Sequence, residues 1–296
     1  MKKIKSFKAA KLVQRLKVIE NIESALQDGD TFRKVETGDP VITSEMVKKV
    51  ILPFDNLRRK PLSKLKFRLA ILIAEKFTAA FKDETVLSGV ENALNVKGGA
   101  IITANHYNPK DTTPVRMLAQ IMGKGKKHNI VVQESNIFMK GVFGFLMRNC
   151  GTLPVSKSPE YMAKNLKPAL KKLLSEGHLV LIYPEQEMWF NYKKPRPLRD
   201  GAYHYAALFG VPVIPTFTEM QNMEGETDDD GFYKVRRILH IMPPIYPDHL
   251  LSVRENRERM RKMDMEYKIN AYKEAYGYYP PEDFLAERDI AGYPDL

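Results

Sequence analysis

Cysteine is nearly missing from this chain: 296 residues contain one, Cys150. That excludes a disulfide framework and a cysteine-built zinc site, and it suits a reducing cytoplasm. Long apolar runs are missing too. A membrane-crossing helix needs about 20 predominantly apolar residues. The longest stretch here, Leu69-Ala70-Ile71-Leu72-Ile73-Ala74, is bounded by Arg68 and Glu75. Lys2, Lys3 and Lys5 open the chain with no apolar segment behind them, so no secretory signal is expected there. The chain also lacks a Gly-x-Ser-x-Gly nucleophile elbow, internal repeats and low-complexity tracts.

Acid is in the minority. Asp and Glu number 36 against 47 Lys and Arg, a formal net charge of +11. The hydrophobic fraction of 44% is too high for a disordered chain. The length fits one large domain, or one domain with a helical extension. The excess charge admits three partner classes: nucleic acid, anionic lipid, or a phosphorylated small molecule. It is concentrated in two runs. Residues 1–17 carry Lys2, Lys3, Lys5, Lys8, Lys11, Arg15 and Lys17 without an acid. Residues 48–76 carry nine cations, among them Arg58, Arg59, Lys60, Lys64, Lys66 and Arg68, against Asp55 and Glu75. The acidic counterweight lies in 224–230.

Apolar residues three and four apart predict helices over 4–26 and 62–81, joined by a polar loop over 27–40. Short apolar runs then alternate with longer periodic ones. Strands are predicted at 100–104, 129–132, 152–155, 178–183, 211–216 and 234–242. Helices are predicted at 112–122, 136–147, 159–175, 201–209 and 250–275. This alternation predicts an α/β fold: a central, mostly parallel sheet flanked by helices, with a basic helical N-terminal extension. The division expected is 1–85 for the basic helical region, 86–276 for the main domain, and 277–296 for a C-terminal tail.

The most informative local feature follows the first predicted strand: Asn105-His106-Tyr107-Asn108-Pro109-Lys110-Asp111. Ligands of α/β folds gather where strands end. A histidine there, with a carboxylate close behind, is a candidate general base. The carboxylate fixes the tautomer through one ring nitrogen and leaves the other to take a proton.

Three later segments stand in order behind it: Gly151-Thr152-Leu153-Pro154-Val155-Ser156-Lys157, Tyr183-Pro184-Glu185-Gln186, and Val211-Pro212-Val213-Ile214-Pro215. Together the four segments resemble the motifs of the glycerol-phosphate and lysophospholipid acyltransferases. Asn105, His106 and Asp111 match the N-H-x4-D block. Gly151, Val155 and Lys157 fit the second block, with Lys in place of Arg. Tyr183, Pro184 and Glu185 fit F-P-E-G-T-R, but Gln186, Glu187 and Met188 replace its last three residues. The lead-in from Val86 to His106 is also similar, and the resemblance covers roughly 86–276.

The resemblance implies an O-acyltransferase moving a fatty acyl group from a thioester or acyl phosphate to a hydroxyl of a lysophospholipid or glycerol-phosphate-like acceptor. His106 would be the base and Asp111 its orienting partner, without a covalent acyl-enzyme. Asn105, Gly151, Lys157, Pro184, Glu185 and Arg199 would form the substrate site, with Lys157 on the acceptor phosphate and Glu185 on a polyol hydroxyl or a neighbouring cation. No cofactor is expected beyond the donor, which could be acyl-CoA, acyl carrier protein or acyl phosphate. The altered third block removes a phosphate-binding Arg. Lys193, Lys194, Arg196 and Arg199 follow closely and could restore the charge, Arg199 best. Trp189, Phe190 and Tyr192 imply a different acceptor head group or an interfacial contact.

With no membrane span, the basic helices imply peripheral attachment to an anionic surface, at the inner face of a membrane in the cytoplasm. Two other classes stay open at this point. A nucleic-acid-binding protein would use the same charge but lacks any recognisable module, so no nucleic acid is expected. A metal-dependent hydrolase would use His106 and Asp111 as ligands but lacks an evident third and fourth. The remaining histidines and the acidic loop have no metal-ligand spacing.

Overall fold

The four residues Ala100–Thr103 are all buried, as a strand covered on both faces requires. They are β2, at the centre of the sheet. The computed structural model describes residues 2–38, 40–51, 54, 61–228 and 231–295. Within them the other strands are β1 (Thr85–Ser88), β3 (His128–Gln133), β4 (Thr152–Val155), β5 (Leu179–Ile182), β6 (Val213–Thr227) and β7 (Tyr233–Ile241). The order is β1-β7-β6-β2-β5-β3-β4. Neighbours run parallel except for the β6–β7 pair. The expected α/β architecture is therefore present.

The longer helices are α1 (Lys2–Gln27), α2 (Pro61–Ala80), α3 (Thr112–Ile121), α4 (Gly141–Asn149), α5 (Lys167–Ser175), α6 (Gly201–Phe209) and α7 (Val253–Tyr276). A capping box between Ser252 and Glu255 starts α7, and Gly277 at φ 83° ends it. The main core packs α3, α5 and α6 against the inner strands.

Two expectations from sequence shift, and one strand is added. The helix over 136–147 is broken into Glu134–Ile137 and α4. Gly141 sits at φ 67° between them, and Arg148 Nη1 donates to the carbonyls of Ile137 and Met139 to close the break. The strand over 211–216 is β6, which runs on to Thr227 as a ribbon with β7. The acidic stretch therefore lies partly within that ribbon. β1 was not foreseen: four residues are too few for a period, and their pairing partner, β7, lies far along the chain.

Asp55, Arg58, Arg59 and Lys60 of the second basic run, and Asp229 and Asp230 of the acidic loop, lie outside the described residues. So do the side chains of Lys2, Lys3, Lys5 and Lys8.

α1 and the segment around Ile290 pack on the 189–192 loop and on Phe232, next to the start of β7. Val18, Ile19, Ile22 and Ala25 of α1 join Trp189, Phe190, Tyr192, Phe232 and Ile290 in one buried cluster. Lys194 and Asp289, both buried, form an ion pair at 2.9 Å. Lys193 Nζ donates to the carbonyl of Arg288 at 2.7 Å.

Candidate active site

The site is assembled at the C-terminal ends of β2 and β5. Thr103 and Ile182 are register partners, so the loops that follow, 104–111 and 183–188, emerge side by side. Asn105 anchors the first loop. Its Nδ2 donates to the carbonyl of Thr218 at 3.1 Å, and its Oδ1 accepts from the Thr218 N–H at 2.8 Å. The side chain thus continues the ladder with β6 and is buried. It fixes where His106 begins.

His106 Nδ1 lies 2.6 Å from Asp111 Oδ2. The same oxygen accepts the Tyr107 N–H at 3.2 Å. Asp111 Oδ1 accepts from the Tyr183 hydroxyl at 2.6 Å. Asp111 is buried, so these donors replace the water its carboxylate has lost. The Tyr183 ring stacks on the imidazole with centroids 4.0 Å apart. Nδ1 is thereby occupied, and Nε2 is left for a proton in transit. Burial first, and the Asp111 charge second, push the Tyr183 phenol well above its usual pKa, so it stays a donor.

His106 and Asp111 line a cavity of 590 Å³, within the range of small-molecule sites. Polar groups from Lys34, Glu36, Gln133, Gln186, Glu187 and Arg199 share the wall with them. The wall continues into apolar residues between the sheet and the helices, including Ile130, Val132, Met147, Leu166 and Leu170.

The third block is turned inward. Glu185 Oε2 accepts the His106 N–H at 3.1 Å and pairs with Arg196 Nη2 at 3.1 Å. Glu185 Oε1 accepts the Arg196 N–H at 3.1 Å. Both side chains are 2% exposed, and neither lines the cavity. The cation that Glu185 fixes is Arg196. Gln186 takes φ 65° at the position where the family motif has Gly. Met188 lines the cavity where the motif has Arg.

Pro184 and Arg199 line the cavity, and the Arg199 N–H donates to the Pro184 carbonyl at 2.8 Å. Lys157 is exposed beyond β4 and is not part of the cavity wall. β4 stands three places from β2, about 14 Å at normal strand spacing. Gly151 has φ 66°, and a Cβ there would meet the His128 carbonyl oxygen at 2.7 Å. Glycine is required there by the backbone.

Two expectations are corrected. Trp189, Phe190 and Tyr192 are buried against α1 and the C-terminal segment rather than presented to an acceptor or an interface. Lys193, Lys194 and Arg196 do not surround the cavity; their donors hold the carbonyls or carboxylates of 288–289, Thr31 and Glu185. Only Arg199 of that group reaches the wall. Lys34 and Glu36 were missed, because a charged residue in a polar loop carries no local signal. Among the described residues, no cluster of three or more His, Cys, Asp or Glu side chains forms a metal site.

Residues 85–219 match the family model described as Acyltransferase. The chain is similar to the chloroplastic 1-acyl-sn-glycerol-3-phosphate acyltransferase BAT2 of Brassica napus, with 26% identity over 169 residues. That match covers 55% of this chain and 45% of the relative, so it spans about half of that protein's length. Among solved structures, the fold is similar to the 1-acyl-sn-glycerophosphate acyltransferase PlsC from Thermotoga maritima, with a TM-score of 0.50 and 15% identity, covering 93% of this chain and 100% of that one. Motif order, family match and fold agree, and the resemblance of residues 85–219 to the acyltransferase family is established.

Proposed function

We propose that this chain is an O-acyltransferase acting on a lysophospholipid or glycerol-phosphate-like acceptor. The observation that carries the reading is the His106–Asp111 pair at 2.6 Å on the wall of a cavity with a polar and an apolar part. His106 Nε2 takes the acceptor's hydroxyl proton as that oxygen bonds to the donor's carbonyl carbon. The tetrahedral adduct then collapses, and the carbonyl–sulfur or carbonyl–phosphate bond breaks. The leaving group departs with the electron pair, and the imidazolium returns the proton. No acyl-enzyme and no cofactor enter the scheme. Asp111 holds the ring and balances the imidazolium; a positioned base of this kind contributes about 10²–10⁴-fold. The apolar wall takes the acyl chain, with Met147 of α4 among its residues.

The donor is an acyl thioester, on coenzyme A or acyl carrier protein, or an acyl phosphate. Peripheral attachment to the inner face of an anionic membrane completes the reading. It is supported by α2, which exposes Leu62, Leu65, Leu69 and Leu72 at helical spacing among Lys64, Lys66 and Arg68. Among the described residues, no helix is long and apolar enough to cross a membrane. A mass-spectrometric product screen tests the reaction, using a panel of acyl donors against lysolipids and polyol phosphates. His106→Ala is expected to lower turnover by about 10²–10⁴-fold with the fold intact. Retained turnover in that variant overturns the mechanism.

A further inference from the structure

Residues 31–36 form an irregular strap that leaves a turn at Thr31 and Phe32, and alternate carbonyls along it are claimed by side chains from elsewhere in the chain. Arg196 Nη1 donates to the Thr31 carbonyl at 3.0 Å. Trp189 Nε1 donates to the Arg33 carbonyl at 3.0 Å. Asn21 Nδ2 donates to the Val35 carbonyl at 3.0 Å. Val35 is buried with α1 and Trp189. The intervening residues face the cavity side: Lys34 and Glu36 line the wall, and the Phe32 ring carries the Arg199 guanidinium 3.6 Å from its centroid. Glu36 is paired with Arg15 at 3.1 Å.

The strap therefore brings a cation from the N-terminal region to the cavity that holds His106. With Met188 at the motif's Arg position and Lys157 off the wall, the lysines and arginines lining it among the described residues are Lys34 and Arg199. Glu187 also lines the wall, but its Oε1 accepts from Gln133 Nε2 at 2.6 Å. An acceptor with a phosphate monoester needs cations close to the base.

We infer that Lys34 and Arg199 form the clamp for the acceptor's phosphate, with Phe32 setting the guanidinium plane. This rests on the acyltransferase reading and assigns its acceptor-binding residues. The segment after the third block acquires a purpose: Trp189 and Arg196 hold the strap that supplies Lys34. Arg199 presents a flat fork for two phosphate oxygens, and Lys34 adds a point charge.

The test compares two acceptors differing only in the phosphate, 1-acylglycerol 3-phosphate and 1-acylglycerol. Lys34→Gln and Arg199→Gln are each expected to raise KM for the phosphorylated acceptor by about tenfold or more. The ratio of kcat/KM for 1-acylglycerol 3-phosphate over 1-acylglycerol should fall by a similar factor, so the preference for phosphate collapses. Lys34→Arg should restore most of it. Lys157→Gln is the contrasting arm: a collapse there, with the preference kept in Lys34→Gln and Arg199→Gln, overturns the clamp. A titration independent of turnover follows the fluorescence of Trp189, the single tryptophan, as 1-acylglycerol 3-phosphate or inorganic phosphate is added. Equal affinity in wild type and both Gln variants overturns the clamp even if acyl transfer is real. If wild type binds the phosphorylated acceptor through these residues and transfers no acyl group to any acceptor, the reaction assignment fails while the clamp stands.

Discussion

Tyr183 touches both members of the candidate base pair: its hydroxyl donates to Asp111 Oδ1 at 2.6 Å while its ring lies 4.0 Å from that of His106. The imidazole is thus held by a hydrogen bond at its edge and by a stacked ring on its face. Tyr183→Phe keeps the ring and deletes the donor. A fall in kcat of about tenfold is expected, the scale of one hydrogen bond to a charged group. Tyr183→Leu removes the stack as well and should fall further. Steady-state kinetics with a thioester donor decide it; wild-type kcat in Tyr183→Phe removes the hydroxyl from the mechanism.

Gln186 holds φ 65° without being glycine. A left-handed L-residue costs about 1–2 kcal/mol, and part of that returns to the unfolded chain when Gly replaces it. Gln186→Gly should therefore stabilise the protein by about 0.5–1 kcal/mol. The urea midpoint measures this, and a lower midpoint would show that the Gln side chain contributes more than its backbone strain removes.

His128 gives a pH dependence. Burial, then the nearby Arg116 charge, pushes its pKa from 6.5 to about 3, and neither ring nitrogen has a hydrogen-bond partner among the described residues. A lowered folded-state pKa means that the unfolded chain binds the proton first. The resulting stability is complete above about 6.5 and is lost as pH falls from there towards 3. His128→Phe should flatten that part of the stability–pH curve. Parallel slopes for variant and wild type between those limits would refute the assignment.

Behind β2 lies a buried ion pair. Asp264 and Lys268, one turn apart on α7, are both 0% exposed. Asp264 Oδ2 accepts from Thr103 Oγ1 at 2.6 Å and also from the Tyr203 hydroxyl. Lys268→Met strands a carboxylate in the core and should destabilise by about 3–5 kcal/mol. Adding Asp264→Asn to it should recover much of the loss. Chemical denaturation of the two variants checks this; a double variant no better than the single would mean that the packing of Lys268, not its charge, matters.

Local pattern made the sheet and the His106 loop legible. β2, β3 and β5 are short apolar runs, and the N-H-x4-D spacing keeps its carboxylate within one turn of its histidine. What stayed hidden depends on distance along the chain. The donor to the Arg33 carbonyl is Trp189, 156 residues away. The Asn105 side chain pairs with Thr218, 113 residues on. Glu185 reads as an acceptor-site carboxylate until Arg196 is seen beside it, because a sequence of charges does not tell which of them are buried. The aromatic run at 189–192 reads as an interface for the same reason: burial by α1 is a property of the tertiary fold.

The shared cluster of α1 has a consequence for the order of synthesis. Val18, Ile19 and Ile22 leave the ribosome well before their partners Trp189, Phe190, Phe232 and Ile290. At about 5–20 residues per second, the last of these follows by tens of seconds. Over that interval the helix carries a partly uncovered apolar face, and until residues 189–196 emerge the strap beyond it lacks the donors that hold the Thr31 and Arg33 carbonyls. Ribosome-associated chaperones therefore have that interval in which to act on α1.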